Sequence, residues 1–366
     1  MRVVLINSVC GIGSTGRICA DLAKEFEVNG NEVKIAYGRD SFVPEEYQKY
    51  AVRIDSDLDV TYHVIYTRVT DKHGLASKAA TRKFLKWLDE FKPDLLWLHN
   101  IHGYYINYEM LFAWIKKHPD LQVKWTLHDC WAFTGHCSHF SYVGCNKWKA
   151  GCRNCEQKSQ YPASISDHSE LNYKRKKESF CGIDNLQLIV PSNWLKRIVE
   201  ESFLKEYPIE VHHNMVDKSI FKHVNSTIKE DYGIQNRKMI LGVSSVWNTR
   251  KGFDDFIELS KLLDDSYRIV LVGFEENQVS SLPKNVIGIE KTNDISTLVK
   301  LYSAADVFVN PSKEETFGMT TAEAMACGTK AIVYKGTACE EVVAEGNGIS
   351  VAPSVHSLYE EILKNI

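Results

Sequence analysis

Asn310-Pro311-Ser312-Lys313-Glu314-Glu315-Thr316-Phe317-Gly318-Met319-Thr320-Thr321-Ala322-Glu323-Ala324-Met325-Ala326-Cys327-Gly328 is the stretch that decides the fold. The apolar run Val307-Phe308-Val309 before it reads as a buried strand, and 320–325 as a small-residue helix stopped by Gly328. A strand, a glycine-containing loop and a helix N-terminus form the place where an open α/β sheet takes a phosphate. Backbone N–H groups and the helix dipole both face that place. Glu315 stands in the loop and Glu323 in the helix, where carboxylates can accept hydrogen bonds from sugar and ribose hydroxyls.

The alternation continues on either side. Residues 239–244, 267–272, 286–289 and 331–334 read as strands, and 253–263, 295–303 and 358–366 as helices. The N-terminal half repeats the pattern, with strands at 3–6, 32–37, 94–98, 122–127, 186–190 and 209–211. Its helices fall at 17–29, 77–91, 109–117 and 193–203. Strands alternating with helices imply parallel sheets, and 366 residues suffice for two domains with separate cores. The polar Asn214-Met215-Val216-Asp217 marks the boundary.

A net charge of −3 argues against a nucleic-acid binder. The apolar run at 3–6 is too short for a secretory signal, and no run approaches the roughly 20 residues of a membrane-spanning helix. The expectation is a cytoplasmic protein, peripheral at the inner face of the cell membrane. Ten cysteines are many for such a chain. In a reducing compartment their clustering points to metal before disulfide.

Gly11-Ile12-Gly13-Ser14-Thr15-Gly16 fits the dinucleotide-binding pattern between a strand and a helix. The acidic residue expected after the second strand is replaced by Tyr37-Gly38-Arg39. Arg39 would suit a 2′-phosphate, which keeps an NADP-dependent oxidoreductase as an alternative. Arg250-Lys251-Gly252-Phe253 opens a helix, where a cation can pair with an anion that the dipole already favours. His128-Asp129 and His99-Asn100-Ile101-His102 follow two strands, and side chains at carboxyl ends of strands point into the binding crevice. Cys137, Cys145, Cys152 and Cys155 form C-x7-C-x6-C-x2-C. Four thiolates complete a closed structural zinc site, with Cys130, His136 and His139 as alternative ligands, and buried free thiols or a redox or disulfide role as the other readings.

With Pro311-Ser312, Phe317-Gly318 and Glu323-Ala324-Met325-Ala326-Cys327-Gly328 framing the two glutamates, the chain resembles the nucleotide-sugar-dependent glycosyltransferases of family 4 over nearly its whole length. The resemblance implies an α/β fold of the GT-B type, with two Rossmann-like doubly wound parallel-sheet domains facing across a cleft. It implies retaining transfer of a sugar from a UDP- or GDP-sugar, without a divalent metal in catalysis. Residues 1–217 become the acceptor-side domain, carrying a Cys-rich insert at 129–162, and 218–354 the donor domain. A helix over 355–366 is expected to pack back on the N-terminal domain.

In this resemblance Glu323 holds the ribose hydroxyls and Glu315 a hydroxyl of the transferred sugar. Lys251 clamps the diphosphate, helped by Arg250 and backbone N–H groups around Phe317, Gly318 and Met319. Gly13 and Gly16 lie near the donor pyrophosphate. His128 contacts the donor sugar near the reacting carbon, and His99, Asn100 and His102 contact acceptor or donor. The expected catalytic set is His128, Glu315 and Lys251. Two departures stand out: Val246 replaces the usual Arg, and Asn214-Met215-Val216-Asp217 replaces the usual Asn-Gly-Val/Ile-Asp.

Leu127-His128-Asp129-Cys130-Trp131-Ala132-Phe133-Thr134-Gly135 and the four cysteines resemble the subgroup that makes bacterial exopolysaccharides such as colanic acid and amylovoran. The expected acceptor is therefore a polyprenyl-diphosphate-linked glycan of capsule, exopolysaccharide or O-antigen synthesis. Residues 72–92 hold six Lys/Arg and two Asp/Glu, interleaved with Leu75, Phe84, Leu85 and Trp87, and Lys174-Arg175-Lys176-Lys177 adds a second basic run. These read either as docking faces for an anionic membrane or as a helix on its own core beside a solvated charge run. The rival from another class is a non-catalytic sugar-nucleotide binder.

Overall fold

A computed structural model describes residues 1–275, 279, 282–292 and 294–366. The chain divides into two compact units, Met1–His212 and His213–Ile366. The first runs β1 (Arg2–Ile6), α1 (Gly13–Val28), β2 (Glu32–Tyr37), β3 (Ala51–Arg53), α2 (Asp57–Thr70), α3 (Lys78–Phe91) and β4 (Leu95–Leu98). It continues α4 (Tyr108–Ile115), β5 (Gln122–Thr126), α5 (Ser169–Phe180), β6 (Leu186–Val190), α6 (Asn193–Glu200) and β7 (Ile209–Val211). The strands pair in parallel in the order β3-β2-β1-β4-β5-β6-β7. A sheet with helices on both faces buries its central strands, and the two-residue period sorts their side chains. In β1, Val4 and Ile6 join one core with Leu96, Leu98 and Phe112. Val3 and Leu5 join the opposite one with Cys19, Ala20 and Ala23 of α1.

The second unit runs α7 (Ile228–Asp231), β8 (Lys238–Val243), α8 (Phe253–Leu262), β9 (Tyr267–Phe274), β10 (Val286–Glu290) and α9 (Ile295–Ala304). Then come β11 (Val307–Asn310), α10 (Met319–Ala326), β12 (Ala331–Tyr334), α11 (Cys339–Ala344), β13 (Gly348–Val351) and α12 (Val355–Asn365). Its parallel order is β10-β9-β8-β11-β12-β13. The terminal helix buries Leu358 and Ile362, one turn apart, in the core of its own unit with Phe256 and Ile332.

In each sheet the strand order reverses once, between β1 and β4 and between β8 and β11. Loops leaving the carboxyl ends of such neighbours diverge and open a crevice. The loops at these reversals are those of Gly11–Gly16, His99–His102, Arg250–Lys251 and Asn310–Gly318. Among the described residues no helix is long and apolar enough to cross a membrane.

Candidate active site

Two loops build the crevice of the second unit. After β8 the chain makes a short 3-10 turn, Thr249–Lys251, capped by Asn248, whose Oδ1 accepts from the Lys251 N–H at 3.0 Å. Gly252 follows with φ 74°, and a Cβ there would sit 2.4 Å from the Pro311 carbonyl oxygen. Only glycine allows that approach. The loops are then stitched together. The Lys313 N–H donates to the Arg250 carbonyl at 2.8 Å, and Arg250 Nη1 donates to the Glu314 carbonyl at 3.0 Å. This brings Lys251 Nζ onto Glu315 Oε1, with Ser312 Oγ 3.1 Å from the same oxygen. Both charged side chains stay partly open to solvent.

Gly318, at φ 101°, turns the chain into α10, and a Cβ there would press to 2.5 Å from Cys339 Sγ. The helix has no side-chain cap. Its first N–H groups, beginning at Met319, are therefore left for an acceptor outside the helix. Phe317 is buried beside them. Glu323, one turn further, is 3% exposed and accepts from the Tyr302 hydroxyl at 2.9 Å. Sequence reading missed Tyr302, which comes from α9 with no motif around it. Val246 is solvent-exposed, so this position supplies no cation to the crevice.

In the first unit, Gly11 and Gly13 take φ 72° and 62° in the loop after β1. A Cβ at Gly13 would meet nothing within 4 Å, whereas one at Gly16 would press on Val9 Cγ2 at 3.0 Å. Gly13 thus opens α1 on free space and Gly16 lets the helix pack. Buried Asn7 ties β1 to β4, its Oδ1 accepting from the Asn100 N–H at 3.3 Å.

His99 Nδ1 lies 3.0 Å from His128 Nε2, and the rings stack at 5.3 Å. Burial pushes His99 well below the usual imidazole range and His128 down to about 4. Both are neutral at neutral pH, and one N–H bridges them. His102 Nδ1 lies 3.1 Å from the Tyr161 hydroxyl, and its Nε2 is 3.0 Å from Asp129 Oδ2. Burial acts to raise the Asp129 carboxyl, but His102, His139 and the Trp131 N–H together outweigh it and hold the group below the ordinary carboxylate range. His99, Asn100, His102, His128 and Asp129 line a cavity of about 10 Å³, room for one water. A larger space of about 700 Å³ opens beside Arg2, Asp94 and Gln122, at the amino ends of the strands. That is the wrong pole of a parallel sheet for a ligand.

Tyr161 is one of several site residues that sequence reading passed over. His73 packs among His63, His102, Tyr104, Trp131 and Tyr161 with ring separations of 4.6 to 6.5 Å. Tyr104 adopts φ 72°, a conformation rare outside glycine and worth noticing beside a site. Asp71 accepts from the His168 N–H at 2.7 Å and pairs with His136, tying the end of α2 to the insert. Lys176 is a correction. Expected in a solvated basic run, it is buried, donating to the Trp131 carbonyl at 2.6 Å with its ammonium 3.6 Å from that ring's centroid. Burial lowers it to about 7. The face of α3 is likewise spent on the core, where Phe84 and Leu88 are buried.

The Cys-rich insert packs around Phe133, Phe140 and Trp148, with ring separations of 4.8 and 5.5 Å between neighbours. Cys137 donates to Cys155, a bond that raises the first thiol and lowers the second to about 7. Cys152 accepts from the Gly135 N–H at 3.1 Å. The thiols share one neighbourhood. Among the described residues, though, no three Cys, His, Asp or Glu gather as a metal-ligand set. As placed, the quartet does not fit a zinc ion.

Comparison with known proteins follows the same division. Residues 15–219 match the family described as Glycosyltransferase Family 4, and residues 224–366 the family described as Glycosyl transferases group 1. The chain belongs to glycosyltransferase family 4, and its two parallel-sheet units are those of the GT-B fold. It is 34% identical over 92 residues to a putative colanic acid biosynthesis glycosyl transferase, WcaC, of Escherichia coli, covering 24% of this chain and 22% of that one. It is 30% identical over 181 residues to the O-antigen chain mannosyltransferase RfbU of Salmonella typhimurium, covering 46% of this chain and 48% of that one. The matches thus span at most about half of these relatives. Among solved structures, HepE of Anabaena in complex with UDP-glucose superimposes with a TM-score of 0.66 at 16% identity, covering 100% of this chain and 89% of that one.

Proposed function

We propose that the protein is a retaining glycosyltransferase that moves a sugar from a UDP- or GDP-sugar to a lipid-linked glycan in bacterial surface-polysaccharide synthesis. The observation that carries this reading is the Lys251–Glu315 pair at the β8/β11 reversal, beside the uncapped start of α10. An arriving diphosphate would draw Lys251 away from Glu315 and take the α10 N–H groups. That would release the Glu315 carboxylate for a sugar hydroxyl, while Glu323, oriented by Tyr302, meets the ribose. The bond from the anomeric carbon to the phosphate oxygen breaks, and the acceptor oxygen bonds to the same face. The acceptor's proton passes to the departing diphosphate. The protein supplies positioning and charge stabilisation, with no metal in catalysis. Neutral His128, oriented by His99, would contact the donor sugar, and His102 and Asn100 the acceptor.

The colanic acid and O-antigen relatives support the polysaccharide assignment, and the UDP-glucose complex of HepE supports the donor class. A lipid-linked acceptor of this kind would bring the protein to the inner face of the membrane. The exposed Val246, in place of the family's Arg, favours a second reading, a sugar-nucleotide binder without turnover. A structural zinc in the insert is supported only by the spacing and shared neighbourhood of the cysteines, and elemental analysis of purified protein tests it.

Thermal shift against UDP- and GDP-sugars tests the donor site. Stabilisation of about 3 kcal/mol at a hundredfold excess over Kd, lost in Glu323→Ala, is expected. Donor cleavage that requires added acceptor separates enzyme from binder. Stabilisation by NADP alone would replace both readings with the oxidoreductase.

A further inference from the structure

α2 is built inside out. Its buried residues are His63 and Thr67, while Leu58, Tyr62, Ile65 and Val69 are 84%, 60%, 57% and 52% exposed. At 3.6 residues per turn these four fall within an arc of about 60°. A helix that belonged only to its own core would turn this face inward. The reversal is fixed from within. His63 Nε2 accepts from the Gly74 N–H at 3.1 Å, Ser77 Oγ lies 2.9 Å from His63 Nδ1, and Ser77 donates to Asp55 at 2.7 Å. The segment after the insert extends the apolar face. The Ile165 N–H donates to the Arg68 carbonyl at 2.9 Å, and the Ile165 side chain is exposed.

The charges around the stripe indicate what covers it. Asp57 and Asp59 at its start are engaged by Arg53 and Ser56. At its far end stand Arg68, Lys72 and Lys158, the last with Nζ 3.5 Å from the Ile165 carbonyl, and none of the three is ion-paired among the described residues. Apolar side chains bordered by unpaired cations, with the stacked Tyr62–Tyr66 pair among them, match an anionic lipid interface. A second copy of the chain is a poor match. Five side chains fall far short of the roughly 20 residues a side that a specific dimer uses.

We propose that the outer face of α2, with Ile165, seats the protein on an anionic lipid bilayer. Leu58, Tyr62, Ile65 and Val69 enter the headgroup boundary, and Arg68, Lys72 and Lys158 meet lipid phosphates. The proposal rests on the reading of a membrane-borne acceptor and assigns that partner a surface. It also links docking to the site, because the inner face of α2 places His63 6.0 Å from Tyr104 and 6.5 Å from His73.

The test is flotation of the full chain with vesicles of phosphatidylcholine alone or mixed with phosphatidylglycerol. The wild type should float with the anionic vesicles, and Ile65→Glu/Val69→Glu should bind them at least about tenfold more weakly. Arg68→Ala/Lys158→Ala should lose the preference for anionic lipid. Melting temperature and the thermal shift with sugar nucleotide should be unchanged in both variants, which separates lost docking from misfolding. Wild type that floats with neither vesicle overturns the proposal, as do variants that float equally well. A wild-type dimer by light scattering that Ile65→Glu/Val69→Glu dissolves would assign the face to a second copy instead. Flotation that holds while no sugar nucleotide shifts the wild type would leave the docking face standing and remove the donor reading.

Discussion

The two crevices distribute charge differently, although each holds a carboxylate beside a basic group, Glu315 with Lys251 and Asp129 with His102. In the second unit a cation and a carboxylate face each other across two touching loops, Lys251 against Glu315. In the first, burial keeps His99 and His128 neutral, and they share a hydrogen bond in a water-sized cavity. The first arrangement suits a group that carries charge, such as a diphosphate. The second suits hydroxyls, which need donors and acceptors in fixed tautomers rather than net charge.

The widest test of this contrast is kinetic. Lys251→Ala and Glu315→Ala should each slow transfer about 100-fold or more, and the double variant should be little worse than either single one. Initial rates of donor consumption with acceptor give the cycle, and additive losses would show that the pair does not act as a unit.

A titration separates the units by stability. His63 and His128 are lowered by burial to about 3 and about 4, so the unfolded chain takes up protons first. Their contribution is whole above about 6.5 and is lost as the pH falls toward those values. Asp55, raised by burial to about 6, works the other way and offsets part of the loss. The histidines of the second unit are exposed or half-buried. Hydrogen exchange should therefore show the first unit loosening by a few kcal/mol between about pH 6.5 and pH 4 while the second holds. Simultaneous loosening would contradict the contrast.

His99→Phe keeps a ring but removes the nitrogen beside His128 Nε2. A loss of about 1–3 kcal/mol is expected in urea unfolding. The smallest effects compare two glycines. Gly252→Ala meets both a positive φ and the Pro311 carbonyl, and should lose about 2 kcal/mol and weaken the donor-induced thermal shift. Gly13→Ala has the positive φ but open space, and should lose only about 1 kcal/mol.

Legibility in the sequence follows the same division. The second crevice lies in two short motifs, Arg250–Gly252 and Asn310–Gly328, which disclose it, while Tyr302 and Cys339 are partners that no motif announces. Most sheet strands were equally plain, and β2, β6, β7, β11 and β12 keep the bounds read from the sequence, whereas the edge strands β3 and β13, short and weakly apolar, went unread. The first crevice draws on residues from His63 to Lys176, brought together only by tertiary folding. α5 went unread because its inward positions are Ser169, Asn172, Tyr173, Lys176 and Phe180, helical in spacing but mostly polar. α2 went unread because its apolar residues point outward and several are β-branched, which mimics a strand.

The ends of the first sheet have a consequence for solubility. β3 and β7, its two margins, are only three residues long, and Arg53 and Glu210 place charge on them. A foreign backbone seeking a template finds few N–H and C=O groups to pair with and a charge at each attempt. Concentrated protein should resist fibre growth along this direction, so self-association through the first unit would have to proceed through side chains rather than by lengthening its sheet.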